Sequence, residues 1–128
     1  MNTRELGKQG EEAAANLLLS KGYKVLERNY TTKLGEIDLV AEDKDGTRVF
    51  VEVKTAYTDA AGDPASWVNA KKQHKMGRVA TAYLALKNLG DIPCRFDVIG
   101  VTMKAGRDPE IVHYENAFML TQGSRFLF

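Results

Sequence analysis

The stretch from Gly35 to Lys54 constrains the fold of this chain more than any other. Two alternating segments, Gly35-Glu36-Ile37-Asp38 and Phe50-Val51-Glu52-Val53-Lys54, are separated by the turn-forming residues Asp43, Lys44, Asp45 and Gly46. Alternate side chains of a strand share a face. Glu36 and Asp38 therefore share one face of a first strand, Glu52 and Lys54 share one face of a second, and Ile37, Leu39, Val51 and Val53 point the other way. The resulting hairpin brings Asp38 beside Glu52. Two carboxylates about 4 Å apart repel by roughly 4 kcal/mol at the effective dielectric of a partly exposed site. Either one of them takes up a proton or a metal ion sits between them. The plainer alternative is a pair of exposed strand carboxylates bridged to nearby lysines.

Oxygen-only ligation with positions left open for water and phosphate suits Mg²⁺ or Mn²⁺ better than zinc. Lys54, two residues beyond Glu52, is expected to place its ammonium over the same site, where it would orient a water or stabilise charge on a phosphoryl transition state. Glu36 is a secondary candidate: an additional ligand, a group that orients one, or a turn residue beside Gly35. His74 and His113 lack the partner spacing of a zinc site. The single Cys94 has no internal disulfide partner and reads as a small core residue.

Elements of both periods flank the hairpin. Thr3 is expected to cap a helix running to about Lys21 and stopped by Gly22. Leu6, Gly10, Ala13, Ala14, Leu17 and Leu18 form its apolar stripe, with Glu11 at the edge of that stripe and Glu12 in solvent. Strands are expected at 23–30, 36–42 and 47–54, followed by a loop at 55–66 of the size that often carries function. A second helix should span about 68–89 and end at Gly90, burying Met76, Val79, Ala80, Tyr83 and Leu84. Strands at 95–102 and 110–114 complete an α/β chain of order αβββαββ, a mixed sheet with helices packed against it.

The second helix opens with Lys71, Lys72, His74, Lys75 and Arg78. Positive charge near a helix N-terminus opposes the helix dipole, by a few tenths to about 1 kcal/mol per charge. A docked phosphate backbone would offset that cost, so Lys71, Lys72, Lys75 and Arg78 are candidate phosphate ligands and Gln73 a candidate to orient a phosphate or base. A solvated helix face is the default alternative. Trp67 and Tyr57 flank the loop and are placed to stack on an unpaired base, although a Trp at a helix entrance is more often a packing staple.

A chain of 128 residues fits one domain, 1–128, with room for a substantial core. Its net charge of +1 argues against nucleic-acid binding through bulk charge, so any such contact must be local. The N-terminus is polar where a signal peptide needs an apolar run, and no apolar stretch approaches the roughly 20 residues needed to span a membrane. The expectation is a soluble, cytoplasmic protein without membrane contact.

Asp38 followed by Glu52-Val53-Lys54 resembles the metal-binding core of the restriction-endonuclease-like superfamily, Asp…(Asp/Glu)-x-Lys, and the archaeal Holliday-junction resolvases within it. The chain also resembles the YraN-like family nearly end to end. That likeness is carried by Gly10-Glu11, Gly22-Tyr23, Arg28-Asn29-Tyr30, Gly35-Glu36-Ile37-Asp38-Leu39, Phe50-Val51-Glu52-Val53-Lys54-Thr55, Ala82-Tyr83-Leu84, Arg95-Phe96-Asp97-Val98 and Asn116-Ala117-Phe118. The resemblance implies a nuclease-like fold and a Mg²⁺- or Mn²⁺-dependent endonuclease acting on DNA, with branched or structured DNA as one substrate class. It implies Asp38 and Glu52 as ligands and Lys54 as the residue that positions water. By analogy with a helix glutamate in similar nucleases, it implies Glu11 as a further acid at the site; the alternative is a surface glutamate paired with Lys8. It implies a homodimer by analogy only.

Two departures stand against the family pattern. Ala56 occupies a position where an arginine is usual, and the loop carries Asp59 and Asp63 where relatives tend to be basic. Both lower the expected affinity for DNA, and Ala56 together with the near-neutral charge favours the alternative of a non-catalytic nucleic-acid-binding or protein-interaction module on a nuclease scaffold. A third reading is an accessory protein that oligomerises or docks a partner through its apolar end, Phe118, Met119, Leu120, Phe126, Leu127 and Phe128.

Overall fold

Five strands and two helices make up the described part of the chain. A computed structural model describes residues 2–57 and 67–119. The elements are α1 (Thr3–Ser20), β1 (Lys24–Thr32), β2 (Gly35–Glu42), β3 (Arg48–Ala56), α2 (Ala70–Leu86), β4 (Cys94–Thr102) and β5 (Glu110–Phe118). This is the order expected from the sequence, with strand ends moved by a few residues and β5 longer than foreseen. The loop acids Asp59 and Asp63 and the apolar end from Leu120 lie outside the described residues.

The helix ends are set by local chemistry. Asn2, not Thr3, is the N-cap of α1: its Oδ1 accepts the Glu5 N–H at 2.9 Å, which leaves Thr3 as the first helical residue. At the other end Gly22 takes a φ of +86°, and the Tyr23 and Gly22 N–H groups reach back to the carbonyls of Leu18 and Leu19. That is a Schellman closure, which needs a left-handed residue there. α2 is capped by Asn69, whose side chain accepts the Lys72 N–H at 2.8 Å. It ends before Gly90 because Asn88 adopts the left-handed conformation, φ +57°, and Leu89 N–H closes onto Leu84 C=O at 2.8 Å. Asparagine tolerates that conformation better than other residues with a side chain, so the stop signal lies two residues earlier than the glycine suggested.

β1, β2 and β3 form an antiparallel meander, α2 crosses over to β4, which runs parallel to β3, and β5 returns antiparallel. The result is an α/β fold with a five-stranded mixed sheet flanked by helices. α1 covers one face, burying Ala14, Ala15 and Leu18 against Leu39, Ala41, Val49, Val51, Ile99 and Val101. α2 covers the other, packing Met76, Val79, Ala80, Tyr83 and Leu84 on Ile37, Val40, Phe50, Phe96 and Val98. Burial on both faces explains the nearly continuous apolar runs of β3 and β4.

One expectation about the hairpin fails. Ile37 does not share a face with Leu39: it lies with Tyr30 on the α2 side, while Leu39 lies on the α1 side. The face changes at the row where Asn29 of β1 stands opposite Asp38, and Asn29 there adopts φ +50°. The β2–β3 pairing also stops at Leu39 and Val51. One row of the sheet, Asn29–Asp38–Glu52, therefore interrupts both ladders.

Candidate functional site

Continuing the β2–β3 register by one step would pair Asp38 with Glu52, but the strands part there. Asp38 fills the gap, its Oδ2 accepting the Val53 N–H at 2.8 Å. The side chain thereby replaces a strand partner, and the backbone amide freed by the break is satisfied. Glu52, on the other edge of the opening, is among the few charged residues in the buried interior, with 7% of its surface exposed.

Burial, the Glu52 charge, the Glu11 charge and a direct hydrogen bond to Glu52 push the Asp38 carboxyl up to about 8; the Val53 N–H pulls in the opposite direction. In the chain alone, burial and the repulsion between the two acids thus favour the protonated form of Asp38.

α1 brings Glu11 to the same group. It is half-buried, and its partner is the Asn29 side chain, not Lys8. Burial raises its carboxyl, the Asn29 contact lowers it, and Glu36 and Glu52 raise it further. α1 approaches this closely because residue 10 is glycine. A β-carbon there would lie 1.8 Å from Thr55 Oγ1 on β3.

A pocket of about 380 Å³ lies elsewhere, against Cys94 and Arg95, whereas the acids open into a smaller one of about 270 Å³ lined by Gly35, Glu36, Asp38, Glu52, Lys72, Lys75 and Met76. Two residues of the basic run, one helical turn apart, thus face the acids. Lys72 ion-pairs directly with Glu52. The cation at the acids is therefore Lys72, where the sequence pointed to Lys54; Lys54 is exposed and makes no ion pair among the described residues. Lys71 and Arg78 are exposed on the helix surface, and Gln73 donates to Val68 C=O at 2.8 Å, bracing the helix start.

The donor set is all oxygen, as a hard divalent cation requires. Glu36 lines the pocket but is exposed, and it does not join Asp38 and Glu52 in a cage. Among the described residues, no three His, Cys, Asp or Glu side chains are clustered to hold a metal ion. Two adjacent carboxylates fit Mg²⁺ or Mn²⁺ nonetheless, because such ions are commonly held by one or two carboxylates with water and phosphate completing the shell.

The pattern of these residues along the chain is that of a known family. Residues 10–101 match the model of the uncharacterised protein family UPF0102. The chain belongs to that family. Among similar relatives are UPF0102 proteins of Trichlorobacter lovleyi (43% identity over 90% of this chain and 91% of the relative) and Clostridioides difficile (46% over 92% and 100%). Another is the UPF0102 protein of Geotalea uraniireducens, at 41% over 93% of each chain. Two solved structures overlap at lower similarity. One is a chain of the EndoMS-dsDNA2 complex, with 18% identity and a TM-score of 0.39, covering 68% of this chain and 34% of that one. The other is Pyrococcus furiosus SfsA in complex with Ca²⁺, with 18% identity and a TM-score of 0.39, covering 89% and 64%. At that overlap neither carries an argument about function. No described helix is long and apolar enough to cross a membrane.

The sequence reading missed a second polar cluster. Asp97, fully buried in β4, accepts from Arg95 Nε at 3.0 Å, the Asn116 N–H at 2.9 Å and the buried His113 Nε2 at 2.7 Å. Arg95 also reaches Asp43 at 2.6 Å and the Tyr23 hydroxyl at 2.6 Å, and Lys21 Nζ contacts His113 Nδ1 at 2.8 Å. The signal was available: an aspartate inside a strand buried on both faces must have partners. Trp67 takes the packing alternative, edge-on to Tyr114 at 5.9 Å. Phe118 stacks on Phe96 at 5.0 Å and is partly buried against the core on the α2 side. Cys94 is a buried thiol that burial pushes up to about 11, which makes it a poor nucleophile.

Proposed function

We propose that this UPF0102 protein is a Mg²⁺- or Mn²⁺-dependent endonuclease that hydrolyses phosphodiesters in DNA, with structured or branched DNA as the preferred substrate class, and that one domain carries the activity. The observation that carries the reading is the Asp38–Glu52 pair, two touching carboxyls at a break in the sheet beneath a basic helix. Holding two acids together costs folding free energy unless a ligand uses them.

Asp38 and Glu52 are the residues that would hold the cation, which would supply Lewis acidity and neutralise charge developing at a scissile phosphate. The Val53 N–H fixes one Asp38 oxygen and leaves the other for ligation. Lys72 and Lys75 would bind the phosphate from the α2 side of the pocket. Exposed Lys54 would swing in to orient the attacking water. Glu11, held by Asn29, would add negative charge that favours a divalent over a monovalent cation, with Glu36 doing the same from the pocket wall.

The test is cleavage of linear, flapped and four-way-junction DNA with and without Mn²⁺, by the natural protein, Glu52→Gln and Lys54→Met. Metal-dependent cutting that Glu52→Gln abolishes supports the enzyme. Binding without cutting under all conditions would replace it with the binding-module reading, which the net charge of +1 and Ala56 favour.

A further inference from the structure

Lys72 was a candidate phosphate ligand, yet its ammonium lies on the carboxylate of Glu52. The two side chains differ in setting: that of Glu52 is 10% exposed and that of Lys72 46%. A fixed, buried anion is therefore met by a long side chain rooted on a helix surface, with solvent beside it. Asn69 fixes the helix start by capping the N–H of Lys72 itself, so the root of this side chain is held while its end is free to move. Lys75, one turn on, faces the same pocket without an ion pair among the described residues. The pocket thus contains one cation bound to an acid and a second that is not.

We propose that Lys72 is the tethered counter-cation of the acid pair: it occupies Glu52 in the absence of a divalent ion, competes with that ion for the carboxylate, and is released to bind a substrate phosphate when the ion enters. This deepens the nuclease reading and rests on it. A single carboxylate oxygen cannot serve fully as ligand to a divalent cation and as partner to an ammonium, so an ion that takes Glu52 Oε2 displaces Lys72. A phosphate arriving beside Lys72 draws the ammonium away from Glu52, and a divalent ion at Glu52 drives it towards the phosphate. Metal and phosphate binding are then positively coupled through a single side chain, and by linkage the coupling is reciprocal.

A purely structural ion pair behaves differently. Losing it would cost a little stability and raise metal affinity only by the lost charge repulsion, or lower it if Lys72 helped to hold Glu52 in place. Competition adds to that gain, because the apparent dissociation constant of the ion is the intrinsic one divided by the fraction of time Glu52 is free of the lysine.

The test is Mn²⁺ binding without DNA, followed by electron paramagnetic resonance of the free ion, for the full chain and for Lys72→Met, Lys72→Gln, Lys54→Met and Asp38→Asn. Removing Lys72 by either substitution should tighten Mn²⁺ binding about tenfold, the sum of lost competition and lost charge repulsion. Lys54→Met should shift it less than about threefold, and Asp38→Asn should abolish it. A short duplex should tighten Mn²⁺ binding to the natural protein by a larger factor than to Lys72→Met. Equal or weaker Mn²⁺ binding by both Lys72 variants, with the natural protein still binding, overturns the tethered cation and leaves the nuclease reading standing. Absence of Mn²⁺ binding in the natural protein and both variants overturns the two together.

Discussion

Asp38 accepts the backbone N–H of Val53 at 2.8 Å, standing in for the strand partner that β3 lacks at that row. One carboxyl thereby repairs the break and lies beside Glu52, whose charge helps to raise it. The site and the irregularity in the sheet are one feature.

The raised Asp38 carboxyl makes stability depend on pH. The Asp38 carboxyl titrates near 3.8 when exposed and is pushed up to about 8 in the fold. Between those values the folded chain binds more protons than the unfolded one, so the contribution is complete below about pH 4 and is lost as pH rises through about 8. Thermal unfolding without divalent ions should show a midpoint that falls from pH 5 to pH 8. Asp38→Asn should flatten that slope and raise the midpoint at pH 8 by on the order of 5 °C. A slope unchanged by the substitution would contradict the assignment.

Gly10 sets how near α1 lies to β3. A β-carbon at that position meets Thr55 Oγ1 at 1.8 Å, so Gly10→Ala must push the helix away. The cost should be about 1–3 kcal/mol by urea denaturation. Adding Thr55→Ala should recover part of it, because Oγ1 and Cγ2 are removed while Cβ, at 2.8 Å, remains.

Asn29 has two separable duties. Its backbone sits at φ +50° and its side chain binds Glu11. Asn29→Ala should cost about 1–2 kcal/mol through left-handed strain. Asn29→Gly removes the same side-chain contact but relieves the backbone, so its loss should be smaller. Equilibrium unfolding of the two variants side by side measures the difference, and equal losses would mean that the strain is unimportant.

Asp97 is buried with charged and hydrogen-bonded partners on β4 and β5. Asp97→Ala leaves the Asn116 N–H and the His113 ring without their acceptor and Arg95 with Asp43 as its remaining close anion, and should destabilise by roughly 3–5 kcal/mol. The network lies apart from the acid pocket, so Mn²⁺ affinity of the folded fraction should not change. Denaturation and metal titration of the same preparation test both statements.

Order and type of every described element were legible in the sequence because period-two and helical patterns are local properties of the chain. The helix stop at Asn88 was misread because glycine is the commoner signal and lay two residues away. The Asp97 cluster was invisible as a cluster, since Tyr23, Asp43, Arg95 and His113 are brought together only when four segments pack.

For the site itself, the sequence alone determined that Asp38 and Glu52 would be neighbours, because hairpin register follows from strand and turn spacing. It could not determine which cation meets them. Lys54 is close in sequence but exposed, whereas Lys72 arrives from a helix after a crossover connection. That choice belongs to the packing of α2 on the sheet, a long-range contact that no local pattern encodes.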